Sequence, residues 1–140
     1  MGEQRGPMRL VATIVAFAGV NGAIAVAVGA VAAHVAGPNW EPRAGELLRM
    51  GADYQLVHAL ALLGLAAWLP RTAGWSRLLA TLAAVGFAAG ICGFCLSLYW
   101  AAVGGRPFLA PFGGSLLIAA WLAVGMSGAV AWFAGLRADD

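Results

Sequence analysis

The sequence predicts an all-α integral membrane protein, a four-helix bundle, and three observations carry that prediction. The first is composition. Hydrophobic residues make up 62% of the chain and charged residues 10%, with a mean hydropathy of +0.85. A soluble domain is about 25% charged, and a chain this poor in charge cannot cover its own surface in water. The second is where the charges fall. Leu10 to Trp40, Tyr54 to Pro70, Leu78 to Gly105 and Pro107 to Leu136 contain no Asp, Glu, Lys or Arg. A membrane-spanning helix needs about 20 mostly apolar residues at a rise of about 1.5 Å each. The third is proline. Pro7, Pro38, Pro42, Pro70, Pro107 and Pro111 all stand at or near the ends of these runs. A proline inside a span would remove a hydrogen bond where lipid offers no replacement.

Taken in order, the expected spans are residues 8–36, 51–69, 77–103 and 109–135, in one domain over 1–140. The first run is far longer than the 7–15 apolar residues of a signal peptide, so the first helix is expected to be retained. The second run is marginal at its strict limits. It reaches spanning length if Asp53 lies in the interface and Arg71 snorkels outward. Ahead of it, residues 41–52 mix Leu47, Leu48 and Met50 with Arg43, Glu46 and Arg49. That pattern suits a short helix lying in the interface, or equally an extension of the second span. Trp40, Tyr54, Tyr99 and Trp100 mark one set of helix ends, and Trp68, Trp75 and Trp132 the other, as aromatic belts do. Trp121 falls near mid-helix and is read as a packing residue.

Arginines orient the bundle. With both termini cytoplasmic, the inner side holds Arg5, Arg9, Arg71, Arg77 and Arg137 and the outer side Arg43, Arg49 and Arg106, which agrees with the positive-inside rule. The basic residues form no stripe that would follow a phosphate backbone, so nucleic acid is not an expected partner.

The candidate functional residues are the polar groups of the outer half. Tyr54, Gln55 and His58 fall three and four apart and share a helix face. His34 ends the first span, and Ser97 and Tyr99 stand near the outer end of the third. Together His34, Tyr54, Gln55, His58, Ser97 and Tyr99 form the expected polar cluster, with Asn21 deeper on the first helix. Such groups should face one another, because burying them unpartnered is costly. Two histidines at one depth invite a haem or metal reading through His34 and His58. The plainer reading is that each bonds a nearby carbonyl, and no third ligand is evident, so no metal or cofactor is assigned. Cys92 and Cys95 have the spacing of a redox motif. A reactive thiol needs a lowered pKa near a helix start and water, and these sit inside an apolar run, where small packing residues are expected. Gly86, Gly90 and Gly93 make a small-residue face on the third helix, and Ala25 and Gly29 another on the first. Such faces let helices approach closely, within one chain or between chains.

Four stretches resemble a known family. Gly29-Ala30-Val31-Ala32-Ala33-His34 is similar to a Gly-Ala-Phe-Gly-Ala-His motif, with Val31 and Ala32 departing from it. Tyr54-Gln55-Leu56-Val57-His58-Ala59-Leu60-Ala61-Leu62 is the closest match. Phe94-Cys95-Leu96-Ser97-Leu98-Tyr99 resembles a Phe-Ser-Gly-Ser-Leu-Tyr motif, departing at Cys95 and Leu96. Pro111-Phe112-Gly113-Gly114, followed by Trp121, resembles a Pro-Ile-Gly-Gly stretch. On these motifs the chain resembles the domain of unknown function 423 family of small membrane proteins, related to transmembrane protein 256. The resemblance implies four membrane helices and brings no activity with it.

The expected function is that of a non-enzymatic, multi-pass inner-membrane protein. It would be an accessory or stabilising component, partnered by the lipid bilayer and by copies of itself or a larger membrane complex. Two alternatives remain at this stage. One is a small oligomeric transporter or channel with an outward-facing polar pocket, and the other a haem or metal redox protein using His34 and His58.

Overall fold

A computed structural model describes residues 5–34 and 40–136, with side chains described for 8–34 and 40–135. Four helices follow one another, α1 (Arg5–Ala32), α2 (Ala44–Trp68), α3 (Gly74–Ala102) and α4 (Ala110–Leu136). All four are long and apolar enough to cross a membrane. They alternate in direction. The α1–α2 and α3–α4 connections therefore share one end of the bundle, here the loop end. The start of α1, the end of α4 and the α2–α3 turn share the other, here called the terminal end.

The expected first span closes at 36, outside the described residues. The expected interfacial segment and second span are one continuous helix from Ala44. Its opening turns are amphipathic rather than separate. Ala44 and Leu48 are buried with Ala32 and Ala102 in a small core at the loop end, against Trp40, Leu47 and Tyr99. Arg43 Nε donates to Glu46 Oε2 at 2.9 Å on the open side. From Asp53, which is exposed, to Arg71 the helix rises about 27 Å, close to the thickness of a hydrocarbon core of about 30 Å. Arg71 turns back to donate to the Ala67 carbonyl, so its stem lies along the helix end.

Each turn has its own chemistry. At the terminal end α2 tightens into a 3-10 turn over Leu69–Arg71, and the Thr72 hydroxyl donates to the Leu69 carbonyl at 2.7 Å. At the loop end α3 closes in a Schellman motif. Gly104 takes φ +89°, its N–H bonds Ala101 O at 3.1 Å, and the Gly105 N–H bonds Trp100 O at 3.0 Å. The Glu41 N–H then donates to Ala102 O at 3.2 Å, fastening the α1–α2 connection onto the end of α3.

Two hairpins, α1–α2 and α3–α4, make the most extensive contacts, and α2 against α3 joins them. The central core runs through Leu62, Leu65, Ala66, Ala80, Ala83, Phe87, Ile91 and Cys95, closed by Ile14 and Ala18 of α1 and by Leu117 and Ala120 of α4. The remaining surfaces of α1 and α4 carry Val20, Val26, Ile118, Leu122 and Phe133 outward, as lipid-facing helices do.

Candidate functional site: a polar seam between two hairpins

The glycine face of α3 meets α4 within the same chain. A methyl group added at Gly86 would stand 3.0 Å from the Ala120 Cβ. One at Gly93 would stand 3.1 Å from the Gly113 Cα. Gly113, which the sequence reading quoted within a motif but gave no packing role, lies against the backbone of Gly93 and Phe94. The two backbones touch there with no side chain between them, which lets dispersion and weak C–H contacts operate. Gly29 sits more loosely, 4.0 Å by the same measure from the Ala52 Cβ.

Close packing sets the helices so that polar groups meet at three depths. Toward the loop end, the Tyr99 hydroxyl of α3 donates to Gln55 Oε1 at 2.6 Å. Gln55 Nε2 donates to Asn21 Oδ1 at 2.8 Å, and Asn21 Nδ2 donates to the Phe17 carbonyl at 2.9 Å. The chain of bonds crosses α3, α2 and α1 and ends on a backbone carbonyl of its own helix. Gln55 is 2% exposed. Gly51, one turn earlier on α2, leaves the space that the Tyr99 ring occupies on its way to Gln55.

At mid-depth stands His58. Its Nδ1 lies 2.6 Å from the Tyr54 carbonyl, and Trp121 Nε1 lies 3.2 Å from its Nε2. A carbonyl accepts and an indole N–H donates, so the ring is the neutral Nδ1–H tautomer with both nitrogens engaged. Phe87 and Trp121 pack against it, with ring centroids 5.3 and 6.2 Å away. Trp121 thus has a polar task beyond packing.

Toward the terminal end a third set appears. Ser76 Oγ donates to the Ser127 carbonyl at 2.9 Å, and Ser127 Oγ donates to the Ser76 carbonyl at 2.8 Å. Trp68 Nε1 donates to Ser127 Oγ at 3.1 Å, bringing α2 to the same point. Sequence reasoning placed Trp68 in an aromatic belt and passed over both serines. Among the described residues, no buried side-chain nitrogen or oxygen lacks a partner.

The six residues of the expected polar cluster therefore separate. Gln55 and Tyr99 meet, and Asn21 completes them. His58 bonds across to α4. Tyr54 is half-exposed, its ring 4.8 Å from Phe94. Ser97 is buried four residues beyond Gly93 and seven beyond Gly90, hence on the side of α3 that faces α4. His34 Nδ1 donates to the Ala30 carbonyl at 2.9 Å and is exposed.

The two histidines do not share a depth. Gly29 meets Ala52 and Asn21 meets Gln55, so partner numbers across α1 and α2 sum to 81 and 76. His34 is then level with residues 42–47, which puts it at least eleven residues, about 16 Å of helix rise, from His58. The reason is that α2 begins at Ala44, well before the charge-free run. Among the described residues no group of three or more His, Cys, Asp or Glu could hold a metal ion. Cys92 is exposed and Cys95 buried, both as free thiols.

Fold and seam together define a class: a four-helix integral membrane protein whose interior polar groups bond across helices. The chain belongs to the family described as Protein of unknown function (DUF423), whose model matches residues 28–114. That region holds Tyr54, Gln55, His58, Ser97 and Tyr99, as the motif resemblance implied. Relatives named UPF0382 inner membrane protein YgdD, from Escherichia coli K12, Escherichia coli O157:H7 and Shigella flexneri, are each 34% identical over 113 residues. The similarity covers 75% of this chain and 80% of each relative. No solved structure matches. With four spans and inner-membrane relatives, this is a multi-pass inner-membrane protein.

Proposed function

We propose that the chain is a non-enzymatic accessory or stabilising component of the inner membrane, with both termini cytoplasmic. It works by packing against copies of itself or a larger membrane complex. The observation that carries this reading is the self-sufficiency of the seam. Tyr99, Gln55 and Asn21 satisfy one another, and both nitrogens of His58 are engaged inside the chain. A catalytic constellation needs a nucleophile or base aimed at a place where substrate can sit. These groups are aimed at each other. They act as interhelical bonds of the kind that hold bundles together where lipid competes for nothing.

The test is a native mass spectrum of the chain extracted gently from its own membrane. The expected result is the chain in stoichiometric company with protein and without a non-lipid cofactor mass. A solitary monomer overturns the reading. So does a reproducible non-lipid mass that disappears in His58→Ala.

A further inference from the structure

Charge is divided unequally between the two ends of the bundle. At the loop end Arg43, Arg49 and Arg106 are matched by Glu41, Glu46 and Asp53. In the sequence the other five arginines and three acids flank the spans on the opposite side, so the formal charge of +2 falls to that side. Arg9, Arg71 and Arg77 are exposed, while Glu3, Asp139 and Asp140 lie outside the described residues.

Helix register brings these three arginines to one level. The sums of 81 and 76 across α1 and α2 set Arg9 opposite residues 67–72, beside Arg71. Across α2 and α3, Trp68 and Ser76 both bond Ser127 Oγ, which sets Arg77 level with the end of α2. None of the three pairs with a described carboxylate. Arg71 spends one N–H on the Ala67 carbonyl, and a guanidinium has five. At the same end Trp75 and Trp132 are 73% and 67% exposed. Indoles in that position hold a helix end at headgroup depth. The guanidinium groups are therefore presented where lipid phosphates lie.

We propose that Arg9, Arg71 and Arg77 form a docking rim for the headgroups of anionic phospholipids, in the leaflet at the terminal end. Guanidinium matches phosphate through paired N–H donors, and the net negative charge of the lipid neutralises a rim that has no carboxylate among its described residues. The loop end, charge for charge, offers no such preference. This rim stands whether or not the chain has protein companions.

The full chain is reconstituted in bilayers of equal phosphatidylglycerol and phosphatidylcholine, and the lipids retained on it are read by native mass spectrometry. The wild type is expected to retain phosphatidylglycerol preferentially. Each basic group near an anionic surface contributes roughly fivefold, so the triple variant R9Q/R71Q/R77Q should lose the preference by up to on the order of a hundredfold. The exposed control R43Q/R49Q/R106Q should keep it, and R9K/R71K/R77K, which retains the charge but not the paired donors, should keep part of it. Unchanged helical circular dichroism in each variant shows that the bundle is intact. Wild-type retention in the supplied ratio overturns the proposal, and so does equal loss in the two glutamine variants.

Discussion

Tyr99→Phe tests the seam with the smallest change available. It removes one oxygen and keeps the ring that fills the space beside Gly51. Gln55 Oε1 then loses the hydroxyl that bonds it at 2.6 Å. The amide cannot turn elsewhere without breaking the 2.8 Å bond from its Nε2 to Asn21. A buried acceptor left unpaired costs about 1–3 kcal/mol, whereas hydrogen bonds between membrane helices average about 0.6 and reach about 1.7 kcal/mol. Because Gln55 is held from both sides, the upper part of the membrane range applies. The expected loss is about 1.5 kcal/mol, roughly tenfold in the unfolding equilibrium. The assay is reversible unfolding in mixed micelles with rising dodecyl sulfate. Cys92→Ala, at an exposed position on the same helix, serves as control and should stay within about 0.5 kcal/mol of wild type. In a cycle with Gln55→Leu, the Tyr99→Phe cost should largely vanish, since contacting residues couple. Full additivity, or a Tyr99→Phe loss no larger than the control, would refute the reasoning.

Other outcomes follow from the same structure. Gly113→Ala forces a methyl into the backbone of Gly93 and Phe94 and should cost at least about 1–3 kcal/mol in the same titration. Gly128→Ala, with open space around it, should be neutral or slightly stabilising. Nitrogen-15 NMR of His58 in bilayers should show one protonated and one bare ring nitrogen, with Nε2 the bare one. A doubly protonated ring would contradict the Trp121 bond. Cys92→Ala, at an exposed position, should stay within about 0.5 kcal/mol of wild type, whereas Cys95→Ala, buried in the core, should cost measurably more in the same unfolding assay.

The four spans were legible because membrane helices announce themselves by what they exclude. Each charge-free gap in the sequence falls on one helix. The start of α2 was harder. Ala44 to Ala52 carries charge on one side, and charge there is compatible both with a helix lying flat and with one standing upright beyond the hydrocarbon. The seam was half legible. Tyr54, Gln55 and His58 were found as one helical face, yet they point to different neighbours. Gln55 faces α1 and α3, and His58 faces α4, because a buried arc on a central helix spans several partners. Apolar runs give no period from which to read rotation, so Asn21, Trp121, Ser76 and Ser127 could be seen as polar but not assigned. Gly113 escaped for a related reason. The glycine pattern on α3 showed that something comes close, and only packing says which residue of α4 it is.

The spacing of the seam along the chain has a consequence for biogenesis. Asn21 and Gln55 are 34 residues apart and belong to one hairpin, so their bond can form once α2 has emerged. Tyr99 follows Gln55 by 44 residues and Trp121 follows His58 by 63. At roughly 5–20 residues per second of synthesis, the Gln55 carbonyl waits about 2–9 s for its donor and His58 about 3–13 s. Throughout that interval the first hairpin holds polar groups whose partners have not yet been made. The second hairpin then arrives as the part that supplies their partners.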